Sequence, residues 1–257
     1  MDKIKVICLN PEAAEYNKKL MVAAARLTQR AESIGSTDDF IQLFNKSVTD
    51  NTYFTMCSLP HNNIRCFGTI TLCVVGASRR FLAQITRRKV GVTFSSGSLQ
   101  YSNYTDKAQF VVPYSIKELG KEKQYLATCS NAMRSYKDSI EFGGVDNDAA
   151  GYMAPQGLRN VLIIDASPQA WLEMLRQRLC RRNTAETRYV MMLCWKVLYA
   201  LDSTFYSADF VLPPCYSLTC PEGKMSCGKV IKQITTPDDF IATDFPLIGG
   251  DVDGMAR

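Results

Sequence analysis

Histidine is nearly absent from this sequence: His61 is the only one in 257 residues. The ten cysteines include no Cys-x-x-Cys pair. Three thiols, Cys215, Cys220 and Cys227, crowd the turn-rich run PPCYSLTCPEGKMSCGK. Neither a CxxC pair nor a nearby imidazole completes the tetrahedron of a zinc site there, so no metal is expected. Long apolar runs are lacking too. Nothing approaches the ~18 residues of a membrane span, and MDKIKVICLN reads as a strand without the apolar core of a secretory signal. Most cysteines sit inside apolar runs, where a free thiol packs as a small core residue; a reducing cytoplasm is expected. Charge of one sign is scarce: 30 Lys and Arg stand against 25 Asp and Glu, a net +5. Nucleic-acid binding calls for clustered positive patches and is not expected. A mild excess suits an anionic small ligand.

What is present is ordinary globular sequence, with 46% hydrophobic and 21% charged residues. A chain of this length buries roughly 70–75% of its unfolded surface and needs no disulfides. There are no repeats, low-complexity segments or linkers, so residues 1–257 are expected to form one domain. Residues Lys3–Leu9 alternate like a strand. A helix follows Pro11, with Leu20, Ala23, Ala24 and Leu27 at helical spacing. Ser36 and Thr37 cap a second helix to about Val48. Thr69–Val75 reads as a buried strand and Ser78–Arg88 as a helix burying Phe81, Leu82 and Ile85. A short strand is expected at Gln109–Val112, stopped by Pro113. Lys117–Phe142 reads as one long helix ended by Gly143-Gly144, and Asp146–Ala150 as an exposed turn. Val161–Ile164 is a short apolar segment. Ser167-Pro168 opens a helix carrying Trp171, Leu172, Leu175 and Leu179, and Thr184 opens another to about Leu201. The tail from Thr235 reads as loop. Strands and helices without regular alternation predict an α+β fold: a mixed sheet flanked by helices.

The densest chemistry lies between Gly76 and Tyr104. Arg87-Arg88-Lys89 ends a helical pattern, and a Ser- and Gly-rich loop closes on Ser98-Leu99-Gln100-Tyr101. Cations beside small hydroxyls and backbone N–H groups suit a phosphate. Helices also end in basic residues simply to complement their dipole. The segment resembles the signature of the flavin-dependent thymidylate synthases, in which Gln-x-x-Arg-His-Arg is followed by Ser-x-Arg-Tyr. Gln84, Arg87, Ser98 and Tyr101 match. Arg88 replaces the His, Lys89 the Arg, and Gln100 the arginine that faces phosphate in the family.

The resemblance covers most of the chain. KVICLNPEAAEYNKKLMVAAARL is similar to the family's opening strand and helix. Pro60-His61 stands at its Gly-His, whose histidine lies near the flavin and folate; a lone histidine in a polar loop is otherwise a solvated one. NDAAGYMAPQGLRN resembles a turn whose arginine reaches the nucleotide from another subunit. Gly151 takes that place, with Arg159 nearby. SPQAWLEMLRQRLCRRNTAETRYV retains Trp171, Arg178, Glu186 and Arg188, while Ser167 and Gln169 replace an Asn and an Arg on the flavin side. Arg188 matches the arginine that meets the uracil edge and favours its ionisation. Glu186 and Arg188 also read as charges at a helix start, one on the dipole and one in solvent. The Cys-containing extension from about residue 211 resembles the tail of some members.

The resemblance implies reductive methylation of dUMP to dTMP with methylenetetrahydrofolate, FAD and NADPH, by a homotetramer with sites between subunits. Substrate contacts are then expected from Gln84, Arg87, Ser98, Gln100 and Arg188, with Arg188 catalytic. Cofactor contacts are expected from His61, Arg87, Arg88, Lys89 and Ser167. Two cations are missing, at Gln100 and Gly151, unless Arg79, Arg80 or Arg159 substitutes. Other readings stay open: a relative acting on another pyrimidine nucleotide, a catalytically degenerate subunit that pairs with an active paralogue, or a small-ligand binding protein.

Overall fold

A computed structural model describes Met1 and residues 3–248. Four strands form one sheet in the order β1-β2-β4-β3: β1 (Lys5–Cys8), β2 (Ile70–Ser78), β3 (Val92–Ser96) and β4 (Arg159–Ala166). Every pairing is antiparallel. The helices are α1 (Ala13–Arg30), α2 (Thr37–Asn45), α3 (Asp50–Ser58), α4 (Arg79–Ile85), α5 (Tyr114–Glu118) and α6 (Glu122–Glu141), followed by α7 (Asn147–Ala150), α8 (Pro168–Arg178), α9 (Ala185–Leu201), α10 (Ala208–Val211) and α11 (Pro237–Asp244). The α+β expectation holds: a small antiparallel sheet is flanked by helices.

Alternation along β2 and β4 sets the layers. Ile70, Leu72 and Val74, with Leu162, Ile164 and Ala166, are buried. They share a core with Trp171, Leu172 and Leu175 of α8 and with α9. Trp171 is fully enclosed and donates its indole N–H to Ile70 O at 2.9 Å. Helix α9 is apolar around most of its girth, from Tyr189 to Leu198, so it is the central core helix. The opposite sheet face leaves Ile7, Val75, Val161 and Ile163 exposed. A bulge interrupts β2 between Val75 and Ala77. There Gly76 takes φ +84°, and an added Cβ would sit 3.2 Å from Lys3 O.

Several local readings are corrected. The helix expected over Ser78–Arg88 stops at Ile85, so Arg87-Arg88-Lys89 lies on the turn beyond it. Within the presumed loop, VTFSS forms β3, because β4 offers it a full edge: Phe94 lies opposite Ile164. Gln109–Val112 makes only an isolated bridge, Phe110 to Leu158. The long helix is two, α5 and α6, broken where Gly120 takes φ +65°. Asp146 caps the short helix α7, whose Ala150 is fully buried. The tail from Thr235 is not a loop as far as residue 248; its last residues, 249–257, lie outside the described residues. Thr236 and Asp239 close a capping box around Pro237, and α11 follows. Phe240 and Phe245 are fully buried, with Phe240 edge-on to Trp195 at 6.4 Å and Phe245 edge-on to Tyr189 at 5.3 Å.

Candidate functional site

Two adjoining regions receive most of the residues expected to bind ligands. The first is a cavity of about 690 Å³ between the loop at Leu59–Asn62, Arg65, the Arg88 turn and helix α8. Ser167 caps α8, its Oγ accepting the N–H of Ala170 at 3.3 Å, and Pro168 fixes the first turn. The next two turns then aim Gln169, Glu173 and Arg176 at the cavity, spaced as i, i+4 and i+7. Glu173 is held on both oxygens. It accepts from Gln169 Nε2 at 2.8 Å through one and from Arg88 Nη2 through the other. Burial pushes its carboxyl up, but the hydrogen bonds from Gln169 and Arg88 outweigh it and hold the group below the usual glutamate value. Gln169 is buried and its Oε1 has no hydrogen-bond partner.

Arg65 is the cation that the sequence did not disclose. It is 9% exposed, donates Nη2 to Leu59 O, and leaves Nε unpartnered. Burial lowers its affinity for the proton. Cys57 also lines the cavity, and burial pushes its thiol up to about 12, leaving it protonated and inert. His61 is exposed beside the cavity-lining Pro60 and Asn62.

The second region surrounds the other end of α8 and the start of α9. Arg178 Nη2 donates to Gln84 O at 2.9 Å, so the Gln84 backbone is tied to α8. Burial and then the neighbouring Arg87 charge make protonated Arg178 less favourable. Arg87 and Lys89 are exposed and make no hydrogen bond or ion pair among the described residues. Arg188 is not in solvent. Its Nη1 pairs with Asp244 Oδ2, and its guanidinium lies 5.1 Å from the centre of the Phe245 ring. Asp244 also accepts from Arg181 at 2.7 Å, and its side chain is 4% exposed. Burial lowers the Arg188 pKa, with Asp244 opposing. Two positions before it, half-buried Glu186 packs against Ser78, whose N–H and Oγ donate to it at 2.7 and 2.5 Å. Burial raises the Glu186 carboxyl above its ordinary value despite those bonds.

The Ser98–Gln100 turn stands elsewhere. Ser98 Oγ accepts the N–H of Gln100 at 3.1 Å. Leu99 is buried with Met133 and Tyr136 of α6 and Ala150 of α7, which pins the turn and leaves Gln100 exposed. A Cβ on Gly151 would come 3.3 Å from Leu99 Cβ. Among the described residues no hydrogen bond joins this turn to Arg188. Arg159 donates Nε to Phe110 O at 3.2 Å, and Arg80 lines a separate cavity with Glu186. The structure thus brings Arg88 and Gln169 together beside the His61 loop, with Ser167 at the cap of α8 outside the cavity lining, and Gln84 and Arg87 together through Arg178. Sequence reading missed Arg65, Glu173 and Asp244. Glu173 had a signal, four residues after Gln169 on one helix face.

Comparison with known proteins adds a family. Residues 12–202 match the profile of the family described as Thy1, thymidylate synthase complementing protein. A flavin-dependent thymidylate synthase of Geobacter sulfurreducens is 25% identical over 227 residues, covering 86% of this chain and 90% of the relative. One from Clostridium tetani is 25% identical over 179 residues, covering 63% and 70%. Thymidylate synthase X of Helicobacter pylori, solved with FAD and dUMP, shares the fold at 15% identity and a TM-score of 0.59, covering 80% of this chain and 99% of that one. A UMP/dUMP methylase, PolB, of Streptomyces cacaoi aligns at 12% identity and a TM-score of 0.59, covering 79% and 93%.

Proposed function

Because this chain belongs to the Thy1 family, that of the thymidylate synthase complementing protein, we propose that it is a flavin-dependent enzyme methylating a pyrimidine nucleotide. The reaction in this reading converts dUMP to dTMP with methylenetetrahydrofolate, FAD and NADPH. The observation that carries it is the cavity of about 690 Å³, where Arg88, Gln169 and the His61 loop meet. Its donor set fits a flavin: buried Gln169 has an unsatisfied acceptor, and Arg65 and Arg88 supply cations beside it. Reduced flavin, when bound, supplies the hydride, and the protein supplies position and charge.

Glu173 holds the Arg88 guanidinium and the Gln169 amide in fixed orientation along the cavity wall. Ser167 acts on the same wall by fixing the start of α8. Pro60 and Asn62 bring the His61 loop to the rim. On the substrate side of this reading, Arg87 remains free to meet a phosphate dianion, with Gln84 beside it and Ser98, Gln100 and Arg188 as further contacts, while Lys89 serves the cofactor. A homotetramer is part of this reading. The sheet face bearing Ile7, Val75, Val161 and Ile163 supplies an apolar surface for it. So are a single domain with its extension from about residue 211 and a cytoplasmic setting, which suits ten free thiols. No helix among the described residues is long and apolar enough to cross a membrane.

The test is reconstitution. Purified protein should take up FAD, show flavin absorbance, and rescue a thymidine-requiring strain. Protein that stays colourless with excess FAD sinks the reading. A second reading, a degenerate subunit that assembles with an active paralogue, is favoured by the internal pairing of Arg188 with Asp244. It predicts rescue only when the paralogue is co-expressed.

A further inference from the structure

A second cavity, of about 370 Å³, adjoins the first. The two share Arg176, Gln177 and Pro214. One wall of the second comes from the end of α8 and the turn after it. The other comes from Pro213–Glu222, which lies beyond residues 12–202 that match the family.

Its chemistry is cationic. Arg176, Arg178 and Arg182 line it against one carboxylate, Glu222. Arg176 makes no hydrogen bond or ion pair among the described residues, although it borders both cavities. Arg178 spends one Nη2 hydrogen on Gln84 O, and Arg182 one Nη1 hydrogen on Glu222 at 2.6 Å. Each keeps further donors on a planar fork that matches phosphate or carboxylate oxygens. Burial and the Arg87 charge already disfavour the protonated Arg178, a strain that a bound anion would relieve. Cys180, Cys215 and Cys220 reach the same cavity, but no three His, Cys, Asp or Glu side chains among the described residues group as metal ligands. The arginines set the character of the site.

We infer that this compartment binds the oxyanion tail of a ligand whose ring system lies in the first cavity. The inference rests on the flavoenzyme reading above. Two tails share the chemistry: the diphosphate of FAD and the glutamyl carboxylates of a folate. The continuous run from Arg65 past Arg176 to Arg182 gives an extended ligand one ring site and one anion site.

The test compares wild type with R176Q/R182Q, both positions being exposed and outside the core. Binding is titrated with riboflavin and FAD, then with mono- and triglutamyl tetrahydrofolate on FAD-loaded protein. The expected result is that the advantage of FAD over riboflavin, or of three glutamates over one, falls about tenfold in the variant. The tail that loses its advantage identifies the occupant. Both advantages surviving intact overturns the inference. Should wild type bind no flavin at all, the flavoenzyme reading fails, and a thermal-shift titration with inorganic pyrophosphate still decides the compartment. Stabilisation of wild type lost in R176Q/R182Q supports it, and equal response of the two chains refutes it.

Discussion

Arg88 and Arg188 differ by what answers their charge. Arg88 is held by Glu173 on the wall of an open cavity, with the pair's side chains 25% and 35% exposed. Arg188 is held by Asp244 inside the fold, with side chains 14% and 4% exposed. The first pair orients a cation toward space for a ligand. The second closes a cation against the chain's own C-terminal helix. Retention of a motif letter therefore says little about its availability; the counter-ion decides that.

The sharpest way to break this contrast is Asp244→Ala. It strands Arg188 and Arg181 without their shared carboxylate, and a buried pair broken on one side costs about 3–5 kcal/mol. Urea denaturation should show that loss; a midpoint near wild type would mean that Arg188 is not committed to the tail. Next comes Gln100→Arg, which adds a cation to an exposed turn that the proposed reading places against the nucleotide. A charged hydrogen bond contributes about 1.5–3 kcal/mol, so dUMP should bind roughly tenfold tighter or better by calorimetry. Unchanged affinity would remove this turn from the nucleotide site.

The two regions should also titrate in opposite senses. Glu186 is raised, so its contribution is greatest when protonated and declines as pH climbs from the ordinary carboxylate value through the raised folded one. Glu173 is lowered, so its contribution is present above the ordinary value and lost as pH falls through the folded one. Glu186→Gln should flatten the first slope in urea midpoints and Glu173→Gln the second. The smallest effect on stability is expected from Arg88→Met. Its pair is part-exposed and contributes about 0.2–1 kcal/mol, yet flavin uptake should weaken clearly. A variant that loses stability without losing flavin would reverse the roles assigned to the two pairs.

Periodicity made the framework legible. The apolar residues of β1, β2, α1, α8 and α9 announce themselves, and Ser167 and Thr184 mark helix starts through side chains that accept local N–H groups. β3 was hidden because its serines carry no strand signal; pairing with β4 decides it. α11 was hidden behind Pro and Asp, although Thr236-Pro237-Asp238-Asp239 has capping-box spacing. Within the site, motif positions such as Arg88 and Gln169 were readable. Partners were not: Asp244 lies 56 residues from Arg188, and no local pattern ties a carboxylate to a distant arginine. Arg65 was equally silent, because only burial singles it out.

Leu99 couples the two uncharged positions, Gln100 and Gly151. It is the buried peg beneath the Gln100 turn, and it sits where a side chain on Gly151 would press. A side chain at 151 makes the peg give by a few tenths of an ångström, and the turn bearing residue 100 moves with it. Substitutions at the two sites should be coupled: G151R shifts the turn, so Q100R made afterwards meets a different geometry than Q100R made first. The effect of a charge placed at either position is thus conditional on what stands at the other.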